Sequence, residues 1–522
     1  MKRYLGIVLA AMFVFGFAAS AFAIHAEIPA ETQAVVAKGT TQITLGGELR
    51  FRGELRKNTD VGSNEATRQL NGEAGKAGED HRDVTASYDG RVRLRLQADT
   101  SKNTQGVVHL ESGTSNATDS YTWGGGAGDT RGIYNEGNAK QNNLYILEAW
   151  LQHKGSGFLG IPAGVKVGHM PVKLGYGLFF DHSKFGDDAL LLFIDPSKNL
   201  HIGAMTIKFL ENTTTQADDS DAYIGYFAYK GGSFNLGGDV TYIDAKRWGP
   251  SSSSLNEQQR GTQLYNVGLR GDTKIASAVT LRAGVEMQSG KTRYETNVLD
   301  TNVDGTNDAN EVKRKGYAYI LGLDWKAAPN ATITIEHAYG SGEACNDVNN
   351  NGICDEKNSD KTFVTAQSSI QNYTYVYEYR TVATGRAFFD TGATTAAAST
   401  GIANTWYAKL GGNFDLTKDL NLLANLYYLR ASKPTSVHGT ITSATKAPRE
   451  TSGKLKTSKE IGTEFDAKVT YKIDKNLVYF VEGGYLWTGA VFDYLDPVAN
   501  SNGTNKASKD AYAVRHGLTL SF

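Results

Sequence analysis

Two cysteines, nine prolines and five methionines among 522 residues exclude several kinds of protein. Cys345 and Cys354 are too few for a disulfide-built scaffold and form neither a Cys-x-x-Cys redox pair nor a Cys-x-x-Cys-His haem attachment. After the first two dozen residues there is no apolar run approaching the roughly 20 residues of a spanning helix. Charge is balanced, with 54 Lys+Arg against 55 Asp+Glu and a formal net charge of -1, so bulk attraction to nucleic acid is not on offer. Catalytic signatures are missing as well. There is no Gly-x-Ser-x-Gly elbow and no His-Glu-x-x-His pair. Ser289-Gly-Lys-Thr292 looks like a phosphate loop, but Gly284 lies one residue too far upstream. An enzyme is not expected.

What the chain does have begins at its N-terminus. Lys2 and Arg3 precede an apolar stretch from Leu5 to Phe17 and a small-x-small site at Ala21-Phe22-Ala23, the layout of a cleaved secretory signal over residues 1–23. Loss of Lys2 and Arg3 takes the formal charge from -1 to -3. Glycine (58), tyrosine (27) and phenylalanine (21) are plentiful, which favours strands, tight turns and aromatic belts. The mean hydropathy is negative. A membrane barrel accommodates that, because only alternate residues meet lipid while lumen and loops are wet.

Period-two alternation carries the fold. Ile43, Leu45, Leu49, Phe51 and Leu55 alternate with Thr44, Glu48, Arg50, Arg52, Glu54 and Arg56. Val92, Leu94, Leu96 and Ala98 alternate with Arg91, Arg93, Arg95 and Gln97. At the other end Tyr512, Val514, His516, Leu518, Leu520 and Phe522 share one face, and Arg515, Thr519 and Ser521 the other. The expected strands are 41–56, 84–99, 105–113, 144–154, 164–174, 187–194, 202–211, 222–230 and 234–244, then 263–272, 279–290, 316–326, 331–341, 405–415, 420–431, 460–472, 477–488 and 511–522. Alternation is least regular between residues 164 and 245. Short turns (100–104, 326–330, 416–419, 473–476) alternate with long polar segments (116–143, 342–404, 432–459, 489–510). The fold class that follows is all-β: a single antiparallel transmembrane barrel of about 18 strands, over residues 41–522, with short periplasmic turns and long extracellular loops. Residues 24–40 are left as a periplasmic leader, or a short plug in the lumen. His153, His337 and His516 fall on the apolar face, in the interfacial belt.

Parity then places the candidate functional residues. Arg50, Arg52, Arg56, Arg91, Arg93, Arg95 and, across the closure, Arg515 face the lumen. They form either a basic stripe that orients anionic solutes or an ion-pair lattice with Glu48, Glu54, Asp89 and Asp99 that braces the wall. Residues 169–188 contain Leu178, Phe179, Phe180 and Phe185, which need cover, and a sharp turn at Gly175-Tyr-Gly177. A loop folded into the barrel meets both needs. It would set Asp181, Asp187 and Asp188, with Lys173 and Lys184, opposite the arginines as a constriction.

Two further segments suggest metal. Asp300-Thr-Asn-Val-Asp-Gly-Thr-Asn-Asp-Ala-Asn-Glu311 matches a twelve-residue Ca2+ loop, with oxygens from Asp300, Asn302, Asp304, Thr306, Asp308 and Glu311. A weaker copy offers Asp347, Asn349, Asn351 and Asp355, with Asn358 where an acid belongs. It is framed by Cys345 and Cys354, for which a disulfide is expected in an exported chain. Polar solvated turns are the plain alternative. No cofactor is required by any of this.

The signal peptide, the opening strand Gly46-Gly-Glu-Leu-Arg-Phe-Arg52, Leu174-Gly-Tyr-Gly177 followed by Asp181, and the terminal Phe522 together resemble Gram-negative outer-membrane porins of the alginate-export-like type. The resemblance covers the mature chain in layout and only these short pieces in sequence. It implies an 18-stranded, basic-lumened barrel in outer-membrane lipid that passes small hydrophilic, anionic solutes passively, as a monomer or a homo-oligomer. His169-Met170 departs from the more polar pair of that family, so a polyuronate substrate is not implied. Competing readings are a sheath around an electron-transfer cytochrome, a polysaccharide or oligosaccharide export channel and a barrel enzyme. A sheath needs a wide lumen, whereas a porin carries its own constriction.

Overall fold

A computed structural model of the chain describes residues 34–38, 41–59, 84–113, 121–122, 143–184, 186–211, 219–246, 259–294, 310–344, 359–366, 373–378, 387–388, 401–436, 456–496, 504–507 and 509–522. Eighteen of its strands close into one antiparallel barrel. They are β1 Thr41–Lys57, β2 Val84–Ser101, β3 Thr104–Gly113, β4 Asn143–Phe158, β5 Ile161–Met170 and β6 Asp187–Ser197. Next come β7 Leu200–Leu210, β8 Ser220–Lys230, β9 Phe234–Ala245, β10 Gln259–Ala276, β11 Val279–Tyr294 and β12 Tyr317–Ala328. The last six are β13 Ala331–Gly340, β14 Thr405–Asp415, β15 Leu420–Ser436, β16 Thr457–Asp474, β17 Leu477–Thr488 and β18 Ala511–Ser521.

Each strand pairs with its neighbours in sequence, and β18 closes on β1 from Glu48↔Ser521 to Lys57↔Tyr512. Closure leaves no open edge, so every ladder amide has a partner inside lipid. Phe522 extends the ladder by one residue, with Gly47 N–H donating to its carbonyl at 2.7 Å. Beyond it Ala34–Lys38 pairs with Thr41–Leu45, adding a short strand to the stretch of β1 that runs past the end of β18. All eighteen expected strands are present. One boundary is corrected: β5 ends at Met170 rather than at residue 174, because Pro171 has no N–H to continue the ladder.

The two faces sort as parity requires. Leu45, Phe51, Leu55, Leu94, Leu96, Val514, Leu518 and Leu520 stand on the outer, lipid-facing wall. Glu48, Arg52, Arg91, Arg93, Glu111 and Arg515 point inward and are buried. Aromatic stacks line the outside near the long-loop rim, Tyr223–Tyr242–Tyr265 on β8–β10 and Tyr317–Tyr339–Tyr319 on β12–β13. These make a girdle at the membrane interface.

The interior departs from the sequence expectation in one respect. On β7–β10 and β12 the inward face near the long-loop end is apolar, with Ile207, Ile224, Ile243, Leu264 and Ala318 all buried. These residues join a cluster with Leu178, Phe179, Phe180, Phe363, Val376 and Tyr377. The barrel therefore contains a hydrophobic core, built where loops enter it.

Candidate functional site: a lumen narrowed by two loops

On one side the wall is a lattice of ions. Register sets Glu48 opposite Arg93 and Arg52 opposite Asp89 across β1 and β2. Arg91 Nε donates to Glu48 at 2.8 Å, Arg52 Nη2 lies 2.8 Å from Asp89, and Arg93 pairs with Glu111 of β3. Arg515 pairs with Glu482 of β17, which Lys468 of β16 also reaches at 3.0 Å. Arg56 lies 3.2 Å from Glu54. Arg95 donates to Gln97 at 2.9 Å, and Gln97 passes the chain on to Asp99 at 3.0 Å. Arg50 stands directly across from Arg91 on the same face.

These arginines share the inward parity of β1, β2 and β18, and carboxylates lace them together. Glu111 and Glu482 were not among the residues anticipated. Their inward parity was available, but two isolated acids in apolar surroundings carry no motif. Breaking one member of such a buried pair costs about 3–5 kcal/mol, because the other charge is left without compensation.

The β5–β6 loop, residues 171–186, folds inward as a hairpin. Leu174 N–H donates to the Phe180 carbonyl at 3.0 Å and His182 N–H to the Val172 carbonyl at 2.8 Å. Gly175 and Gly177 turn it with φ of 56° and 76°, a left-handed conformation that side-chain-bearing residues resist. Tyr176, at the tip, reaches β10, four strands from β6, and donates its hydroxyl to the Gly271 carbonyl at 3.0 Å. Gly284 of β11 makes room, since a Cβ there would meet the Tyr176 ring at 2.8 Å. Phe179 and Phe180 are the buried anchors that the sequence required.

The acids of this loop do not sit as anticipated. Asp181 accepts from Lys173 at 2.6 Å and from Ser183 Oγ at 2.5 Å, clamping the hairpin itself. Asp187 is bound to His182 at 2.8 Å. Asp188 faces outward on β6 beside His169, at 2.9 Å, so it is removed from the constriction. The reason is the period of two: adjacent residues in a strand cannot both face the lumen. Lys184 is half-buried in the turn that follows.

A second loop enters where none was anticipated. In the β13–β14 connection, Phe363 to Ala366 lie against the first loop, with Ala366 N–H donating to the Phe179 carbonyl at 2.8 Å. Val364 is held by both ends of the Gln288 amide, at 2.7 and 3.1 Å. Further along, a turn over Thr374–Glu378 presents backbone N–H groups to two inward carboxylates of β16. Val376 and Tyr377 donate to Glu464 at 2.5 and 2.9 Å, and Tyr375 to Asp466 at 3.0 Å. The Tyr375 ring lies over the Arg515 guanidinium at 5.2 Å, so this loop reaches the ionic lattice.

Of the residues named for metal, Asp300, Asn302, Asp304, Thr306, Asp308, Asp347, Asn349, Asn351 and Asp355 lie outside the described residues, as do Cys345 and Cys354. Glu311 is described. It opens a short strand, Glu311–Arg314, and lies 3.1 Å from Arg293 and 3.4 Å from Lys291. The Arg293 hydrogen bond holds its carboxyl below the usual carboxylate range.

A closed eighteen-strand barrel with an apolar outer band, an aromatic girdle and a loop-narrowed polar lumen defines a porin-type channel of the Gram-negative outer membrane. The family model for alginate export matches residues 41–505, and the chain belongs to that family. Among solved structures it is similar to OpdQ of Pseudomonas aeruginosa (TM-score 0.48, 10% identity, covering 92% of this chain and 97% of that one). It is also similar to OccAB1 of Acinetobacter baumannii (0.47, 13%, 92% and 96%) and to an anion-selective porin from Comamonas acidovorans (0.40, 12%, 92% and 100%). No curated protein sequence matches it.

Proposed function

We propose that the protein lets small hydrophilic solutes diffuse passively across the outer membrane, with a mild preference for anions. The observation that carries this reading is the infolded β5–β6 loop, whose Tyr176 reaches β10 at Gly271, four strands round the barrel from β6. A channel that narrows its own lumen selects by size and charge. A sheath for a cytochrome needs that space empty, so the porin reading is favoured over it. The preference for anions rests on Arg50, Arg52, Arg91, Arg93, Arg95 and Arg515 facing one side of the lumen. Guanidinium groups keep their charge at any physiological pH. Carboxylates interleave with them, so the net field is modest and the selectivity should be modest too.

The family to which the chain belongs keeps an acidic saccharide in view as an alternative solute, recognised by the same arginines. Purified protein in a planar bilayer distinguishes the readings. Open-pore steps without any added partner, and a reversal potential displaced toward the anion, are expected under a salt gradient. No conductance until a partner protein is added would favour the sheath. Block of the current by submillimolar polyuronate, with little block by small anions, would favour the saccharide.

A further inference from the structure

We propose that His182 is a proton-dependent latch that holds the second infolded loop against the first, so that the pore loosens as pH rises. The inference rests on the porin reading above and deepens it, because the latch joins the two loops that narrow the lumen. The backbone of His182 is fixed in the first hairpin, donating to the Val172 carbonyl at 2.8 Å and accepting from the Gly186 N–H at 2.8 Å. Its ring is buried, with the rings of Phe180 and Phe209 centred 4.4 and 6.0 Å away. Nδ1 lies 2.8 Å from the Asp187 carboxylate, and Nε2 lies 3.1 Å from the carbonyl oxygen of Ala366 in the second loop. The Ala366 N–H returns a bond to the Phe179 carbonyl at 2.8 Å. Both backbone groups of Ala366 are thus tied to the first loop, one of them through an imidazole.

A carboxylate and a carbonyl oxygen only accept, so each ring nitrogen of His182 needs its own proton. A neutral imidazole has one. His201 and His337 differ in this respect. Each sets one nitrogen against an acceptor, Asp195 or the Tyr407 carbonyl, and the other against a tyrosine hydroxyl, Tyr226 or Tyr319. A hydroxyl can donate, so a neutral ring satisfies both contacts there. Of these rings only His182 requires the imidazolium form. Asp187 supplies the counter-charge. It is buried, its Oδ2 has no hydrogen-bond partner, and among the described residues its one ion pair is with His182. Leaving that carboxylate without the cation is costly.

The elements packed around the ring offer no substitute charge among the described residues. β7 brings Phe209, β5 sets Met170 opposite Asp187, and the second loop brings Phe363–Ala366, none of which titrates. Within the hairpin Lys173 and Asp181 are bound to each other. Asp188 pairs with His169 on the outer face, where Lys208 opposite it meets Glu211, Asp219 and Asp221. When the imidazolium gives up a proton, the one that remains stays on Nδ1, where the carboxylate makes the stronger bond. Nε2 then turns a lone pair toward the Ala366 carbonyl, and the bond between the loops becomes a repulsion. The contact is present while His182 is charged and is lost as pH rises through its titration.

The test uses the full-length barrel, labelled with nitrogen-15 histidine in detergent micelles and unlabelled in planar bilayers. Near neutral pH the His182 resonances, assigned by their absence in His182→Gln, should show both ring nitrogens protonated. Hydrogen exchange over residues 363–366, expressed as protection relative to the free-peptide rate, should fall about tenfold as the ring deprotonates, the worth of one hydrogen bond to a charged group. His182→Gln should show no such step, and Asp187→Asn should move the step to lower pH by removing the counter-charge. Single-channel conductance should climb over the same pH interval in the unmodified protein and stay level in His182→Gln. A bare ring nitrogen at neutral pH, or protection at 363–366 that stays level while the ring titrates, would overturn the latch. Should the porin reading itself fail, with no conductance at any pH, the resonances and the exchange still decide the latch.

Discussion

The wall from β17 through β18 to β3 and the wall from β7 to β13 belong to one sheet and solve different problems. The first lines its lumen face with Arg52, Arg91, Arg93 and Arg515 paired to Asp89, Glu48, Glu111 and Glu482. The second, in its long-loop half, lines its lumen face with Ile207, Ile224, Ile243 and Leu264. The first kind of surface is an ion-pair lattice that the second loop reaches only at Arg515, and the first loop packs on the second kind. The inward residues of a barrel strand thus record what they touch, and the apolar ones mark where the chain returns to narrow its own pore.

That contrast can be broken most forcefully on the ionic side. Glu482→Ala leaves Arg515 and Lys468 facing each other without their shared carboxylate. The barrel should lose about 3–5 kcal/mol in reversible urea unfolding from lipid vesicles. An unchanged midpoint would mean that the lattice is solvated and braces nothing.

On the apolar side the expected damage is of similar local size but a different kind. Phe180→Ala removes a fully buried anchor of the first infolded loop, a cavity costing about 3–5 kcal/mol. The cost falls on the docking of the loop, because the strands are held by their own ladders. Hydrogen exchange at Leu174 and His182 should quicken and current noise should rise, while the unfolding midpoint barely moves. Collapse of the whole barrel would contradict the division between the walls.

The smallest effect belongs to the β11–β12 connection, at the long-loop rim of the second wall. If residues 300–311 hold Ca2+, chelation should open residues 298–312 to protease, with affinity on the order of 10⁻⁴–10⁻³ M. Independent of metal, the Arg293–Glu311 contact depresses the Glu311 pKa. Its stabilisation is present above the ordinary carboxylate pKa of about 4.3 and is lost as pH falls below it. Protease sensitivity of this connection should therefore rise below about pH 4. Equal protection with and without chelator, at neutral pH, would leave the Asp300–Glu311 segment a polar turn.

The difference between the walls also explains what the sequence disclosed. On β1 and β2, Leu49-Arg50-Phe51-Arg52 and Val92-Arg93-Leu94-Arg95 alternate cleanly because one face meets lipid and the other water. The strand count, the closure by β18 and the inward arginines were all legible there. Between residues 164 and 245 alternation weakens, since residues such as Ile207, Ile224 and Ile243 face a packed loop while their neighbours face lipid. Both faces are apolar, and parity falls silent. The first infolded loop was still visible through its three consecutive apolar residues, Leu178-Phe179-Phe180, which a solvated loop would not carry. The second was not, because Phe363-Val-Thr-Ala366 and Tyr375-Val-Tyr377 are short apolar islands in a polar segment. Their cover, Gln288, Glu464 and Asp466, lies on distant strands.

The central claim is that the inserted loops, rather than the barrel alone, set the size of the pore. Glu464→Gln with Asp466→Asn bears on it directly, since these carboxylates receive the backbone donors of Tyr375, Val376 and Tyr377. Neutral side chains accept those hydrogen bonds more weakly, so the second loop should spend part of its time withdrawn. In planar bilayers the single-channel conductance should rise severalfold, with added fast closures and with the anion preference of the arginine wall retained. A conductance and noise identical to those of the unmodified channel, in a correctly folded variant, would show that the current does not pass this loop and would contradict the account.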